Sequence, residues 1–134
     1  MIDLKPFANA VRQLSEAIEE QSHEPDRLLL RAGLIQTFEF TYELAVRMLK
    51  RYLESVATNP TAQEFTTFED LVRIGDQAGL LLSPIAAWKQ FRQARTDTVH
   101  TYNEEKAIDV VAKIPAFERE VKYLLLRLQE RVGA

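Results

Sequence analysis

The 134-residue sequence has no cysteine, which excludes disulfides and thiolate metal sites. Its four glycines are scattered, so no glycine-rich loop is available to cradle a phosphate. The only histidines, His23 and His100, lie far apart, and no His/Asp/Glu spacing resembles a metal site; neither metal nor cofactor is expected. A serine-hydrolase motif, alternating strand patterns and internal repeats are also missing. The start, Met1-Ile2-Asp3-Leu4-Lys5-Pro6, lacks the basic and apolar regions of a signal peptide, and no run approaches the ~18 apolar residues of a membrane span. The expectation is a cytoplasmic protein with no membrane partner. A net charge of -3 argues against a nucleic-acid field over the whole surface, while leaving room for a local basic patch.

What the chain does have is helical periodicity. With 46% hydrophobic and 28% charged residues, it can bury one core, and residues 1–134 read as a single domain. Leu4, Phe7, Val11, Leu14 and Ile18 alternate 3 and 4 apart, giving a first helix from about Pro6. Pro25 suits the first turn of a second, running to about Val56 with the stripe Ile35, Phe38, Tyr42, Ala45, Leu49 and Tyr52. At ~1.5 Å per residue that helix spans roughly 45 Å, enough to reach past the bundle or into a partner subunit. It carries Glu39 and Glu43, a like-charge i,i+4 pair that is unfavourable unless a cation lies nearby. Ala57 to Thr67 reads as a long polar loop.

Two overlapping capping boxes, Thr66 with Glu69 and Thr67 with Asp70, open a third helix that Gly79 ends. Ser83 as N-cap and Pro84 at the first helical position start the next. Asn103 caps the segment carrying Ala107, Val110, Val111 and Ile114; Pro115 either begins a separate helix or kinks this one, before Phe117, Val121, Leu124, Leu125 and Leu128. The chain is all-α, with four main helices.

Trp88, Phe91 and Arg95 follow at i, i+3 and i+7, so a cation stands where a core residue is due. Such a cation needs a partner, and Glu39 or Glu43 is expected within its reach. The β-branched Thr96, Thr98, Val99 and Thr101 weaken the helix and place its end near Thr98 to His100, clustering Arg95, His100 and Tyr102 there. Arginine can hold a phosphate through two donors, and histidine can move protons near neutrality. Together they suffice for RNA phosphodiester cleavage without metal, His100 acting as base or acid and Arg95 stabilising the transition state. One histidine does not easily serve both steps; a two-fold dimer supplies a second. The plainer alternative is a histidine drawn to a helix C-terminus by its dipole, and Lys89 and Arg92 suit either a polyanion or that dipole.

Ile35 to Ala45 (IQTFEFTYELA), and Arg95 with Val99-His100-Thr101-Tyr102-Asn103-Glu104-Glu105, closely resemble the HEPN superfamily, in the branch called nucleotidyltransferase substrate-binding proteins. The resemblance implies an antiparallel four-helix up-and-down bundle with one or two extra short helices, forming a homodimer and partnered by a minimal nucleotidyltransferase of the MNT type. In related toxin-antitoxin pairs the HEPN member is a metal-independent ribonuclease with an Arg-x4-His-x-Tyr motif, silenced by AMP attachment to the motif tyrosine. Carried over, Arg95 and His100 are catalytic and Tyr102 is the acceptor, with Glu39, Glu43, Thr96 and Asp97 in support. The alternative is a non-catalytic subunit that binds nucleotide or substrate for the nucleotidyltransferase. Thr96 stands where the family usually has Asn or Asp, and Val46 where this branch often has Trp.

Overall fold

The computed structural model describes residues 2–57 and 67–133. Five α-helices follow in order: α1 (Lys5–His23), α2 (Leu28–Val56), α3 (Phe68–Gln77), α4 (Ile85–Asp97) and α5 (Glu104–Val132), with a 3-10 turn, Thr98–His100, between the last two. Helices α1, α2, α4 and α5 form the bundle, and short α3 bridges α2 and α4. The expected all-α bundle is therefore present.

Its core sits where the stripes place it. All six stripe residues of α2 are buried, as are Phe7, Val11 and Leu14 of α1. Phe117 of α5 is the meeting point, with its ring edge-on to Phe38 at 4.9 Å and to Phe91 at 5.4 Å. Trp88 then packs edge-on against Phe91 at 5.6 Å. Three helices are thus locked through one aromatic chain, each edge-to-face contact adding about 1 kcal/mol to the burial.

Several boundaries differ from the sequence expectation. Pro25 does not start α2: the Arg27 N–H donates to the Glu24 carbonyl at 3.0 Å, so Pro25 occupies the second position of a tight turn, where its fixed φ is equally at home. At the start of α4 it is Pro84, not Ser83, whose carbonyl accepts the first helical bond, from Ala87 at 3.0 Å, which makes the proline the N-cap. Pro115 neither divides nor ends α5, which runs unbroken through it. Ile114 and Phe117 on either side are wholly buried, and that packing offsets the roughly 3 kcal/mol a mid-helix proline costs. Helix α5 has 29 residues, as many as α2, so length does not set α2 apart as a reach toward a partner.

The expected caps at Thr67 and Asn103 are formed, their side chains accepting from Asp70 N at 3.0 Å and Lys106 N at 3.2 Å. The Thr66 box and most of the Ala57 to Thr67 loop lie outside the described residues. At the end of α3, Gly79 takes φ +77°, and the bonds Leu80 N–H to Gly75 O and Gly79 N–H to Asp76 O close a Schellman motif.

Candidate functional site

The site lies where α4 gives way to the 3-10 turn. Arg95 occupies the last turn of α4, on the face that Trp88 and Phe91 present to the core, and so its half-buried guanidinium points at α2. Both acids expected as partners are there. Arg95 Nη2 donates to Glu43 Oε1 at 2.5 Å, and Nη1 lies 3.3 Å from Glu39 Oε2. The like-charge spacing of Glu39 and Glu43 is thereby turned into a two-pronged clamp. The hydrogen bond to Glu43, foremost, together with the field of both carboxylates, raises the arginine pKa further above its ordinary value against the opposing effect of burial. Arg95 is a permanent cation.

Thr98, noticed in the sequence only as a poor helix former, completes this network. Its hydroxyl accepts from Arg95 Nη1 at 3.2 Å and lies 2.8 Å from Glu39 Oε2 and 2.7 Å from the Arg95 carbonyl. The signal was available, since Thr98 follows Arg95 by three residues and shares its face. Thr98, Thr101, Ile35, Gln36 and Glu39 line a pocket of about 190 Å³ beside the clamp. Arg95 Nε is buried and, among the described residues, has no hydrogen-bond partner.

His100 and Tyr102 lie on the other side of the turn. Both are exposed, Tyr102 to 87%, and their rings meet edge-on at 6.1 Å. The tyrosine does not pack into the fold, and neither residue lines the pocket beside Glu39. Among the described residues no hydrogen bond joins Arg95 to His100. The structure thus brings Arg95, Glu39 and Glu43 together, and His100 with Tyr102, as two neighbouring groups along one turn. Thr96 points outward, bonded to the Arg92 carbonyl at 3.1 Å, away from the clamp. Asp97 is buried at the unfavourable C-terminal end of α4, where Gln93 Nε2 donates to it at 3.1 Å and Lys106 Nζ stands 3.9 Å away.

Tyr42 lies behind the clamp, and burial pushes its phenol up to about 12, with the charges of Arg92 and Arg95 pulling the other way. Arg31 and Glu104 pair bidentately at 2.7 and 2.8 Å, tying α2 to the first turn of α5 next to the motif. Sequence reading also missed Glu120, wholly buried on α5, which accepts the Leu82 N–H at 2.8 Å and so anchors the α3–α4 connection. Among the described residues no cluster of three or more metal-ligating side chains occurs, and no helix is long and apolar enough to cross a membrane.

A family model described as "Nucleotidyltransferase substrate binding protein like" matches residues 2–130. The chain is 40% identical over 102 residues to a protein named "Probable ribonuclease HepT" from Haemophilus influenzae, covering 76% of this chain and 69% of that one. It also superimposes on a solved Haemophilus influenzae structure, described as revealing the fold of a substrate binding domain of a nucleotidyltransferase. The TM-score is 0.87 at 32% identity, over 95% of this chain and 99% of the other. With the helix order, the capped turn and the Arg-x4-His-x-Tyr residues in place, the chain belongs to the nucleotidyltransferase substrate binding protein like family of the HEPN superfamily.

Proposed function

We propose that this chain is the ribonuclease member of a toxin-antitoxin pair with an MNT-type nucleotidyltransferase, cutting RNA in the cytoplasm without a metal. The observation that supports the reading is the turn after α4, which carries a clamped, permanently charged Arg95 on one side and, five residues on, an exposed His100 edge-on to an exposed Tyr102 on the other. His100 takes the proton from a 2'-hydroxyl or returns one to the leaving oxygen, according to its protonation state. Arg95 stabilises the charge on the phosphate as it develops, through the donors its carboxylates leave free, while Glu39, Glu43 and Thr98 hold the guanidinium in one orientation. Asp97 supports the turn from within, and Thr96, in the position next to the arginine, faces solvent at its rim. A homodimer brings a second Arg95 and His100 to the same phosphodiester and divides the acid and base roles.

Tyr102, with its phenol free of the fold, is the acceptor for AMP: its oxygen attacks the α-phosphate of ATP, pyrophosphate leaves and the phenol proton is lost. An attached adenylyl group adds a negative charge and steric bulk next to His100, and both exclude a substrate phosphate. The relative named as a probable ribonuclease supports the ribonuclease part of this reading. A second reading, a non-catalytic subunit presenting substrate or nucleotide to the nucleotidyltransferase, draws support from the family's description and from Arg95 being engaged by two carboxylates.

The test is to incubate the purified chain with its nucleotidyltransferase and ATP and follow RNA cleavage alongside intact mass. Wild type is expected to gain one adenylyl group and lose cleavage, whereas Tyr102→Phe cleaves and stays unmodified. An adenylylated, silenced Phe variant removes the acceptor role, and a wild-type chain that never cleaves leaves the substrate-presenting reading.

A further inference from the structure

The outer face of α4 carries a second cationic feature, separate from the clamp. Lys89, Arg92, Gln93 and Thr96 line a shallow depression of about 380 Å³ on that face. The helix dipole does not explain these cations: Lys89 and Arg92 lie in the middle of α4, and Arg95 is the only basic residue in its last turn. Nor are they committed to strong partners. Lys89 meets Glu69 at 3.2 Å in a pair more than half exposed on both sides, which a phosphate can displace without stranding a buried charge. Among the described residues Arg92 has no carboxylate partner; its guanidinium lies 4.9 Å above the ring of Phe68, leaving its outer plane to solvent.

Arg92, which lines the depression, stands three residues before Arg95 of the clamp along α4. Steps of three residues along a helix set side chains about 5–6 Å apart and turn each one about 60° from the last, so Lys89, Arg92 and Arg95 form an oblique row from the open face into the site. A row of cations at this spacing, with a guanidinium plane stacked on an aromatic ring, is what an unpaired nucleic-acid strand requires: charge for successive phosphates and a flat surface for a base.

We propose that the Lys89–Arg92–Gln93–Thr96 face is a single-stranded RNA subsite, holding two phosphates on one side of the bond that is cut and stacking a base on the Arg92 guanidinium. This inference rests on the ribonuclease reading and adds to it the direction in which substrate leaves the catalytic turn. Binding is to be measured by fluorescence anisotropy in a His100→Ala background, which retains the bound strand, with single-stranded RNA of about four and about twelve nucleotides. Lys89→Gln with Arg92→Gln is expected to weaken binding of the longer strand about tenfold at moderate salt, to remove most of its advantage over the shorter one, and to lower the slope of log affinity against log salt by about 1.4. Lys89→Gln alone, an exposed change that leaves the Phe68 contact intact, is expected to lower the slope by about 0.7. Arg92→Lys with Lys89→Arg is expected to restore the salt slope without restoring the stacked base.

Wild-type cleavage of RNA with unchanged affinity and slope in the double variant overturns the subsite and leaves the ribonuclease reading standing. A wild-type chain that neither binds nor cleaves RNA overturns both. Loss of ATP binding in the double variant, with RNA binding intact, makes the face a mononucleotide site and also overturns the proposal.

Discussion

Arg95 illustrates how one residue out of pattern locates a site. A guanidinium on the core-facing stripe of α4 demands carboxylates from whatever packs against it, and the only acids within the facing stretch of α2 are Glu39 and Glu43. That pairing was legible because charge cannot be buried unpaired. The position of His100 relative to Arg95 was less so, since it depends on how the 3-10 turn winds, where the single Thr98 hydroxyl proton has either the Arg95 carbonyl or Glu39 as its acceptor. Tyr42 gives this region a pH signature. Its folded pKa of about 12 lies above the ordinary value near 10, so the folded chain holds the proton more tightly than the unfolded one. Stability is therefore full below about pH 10 and falls as pH rises toward 12, by on the order of 2 kcal/mol. Urea midpoints of wild type should drop across that window, and Tyr42→Phe should flatten the drop; parallel curves for the two proteins would show that Tyr42 is not the group responsible.

At the scale of elements, the helices could be read from 3 and 4 spacing, and their caps from Thr67 and Asn103, because both signals are local. The prolines were read less well. Pro25, Pro84 and Pro115 each satisfy more than one local role, and tertiary packing chooses among them: Pro115 stays inside α5 because Ile114 and Phe117 are sealed in the core on both sides. Glu120 was missed although its spacing, three residues after Phe117 and four before Leu124, puts it on the buried stripe; what the chain does not show locally is its partner, the Leu82 N–H 38 residues away. Replacing Glu120 with Ala should cost about 2 kcal/mol by removing the charged acceptor of that part-buried hydrogen bond, while Gln, which keeps an acceptor, should cost less. Thermal or urea unfolding of the two variants decides it, and equal losses would make the defect one of packing volume instead.

For the whole molecule, the bundle leaves apolar groups exposed close to the site, Val99 and Tyr102 flanking His100, and Leu28 and Ile108 in the groove that also holds Arg31 and Glu104. A second copy covering this end would bury Val99, Leu28 and Ile108, leave Tyr102 open to modification, and supply the second histidine that acid-base cleavage calls for. Sedimentation at micromolar concentration is expected to show a dimer; a monomer that still cleaves would end the composite-site proposal. The most direct test of the chemistry is cleavage of single-stranded RNA by the purified chain in the presence of a metal chelator, comparing wild type with His100→Ala. Wild type should cut, and the variant should be slower by a factor of about 100 or more with its helical circular dichroism unchanged. Equal rates in the two proteins, or cutting that the chelator abolishes, would contradict a metal-independent mechanism built on His100.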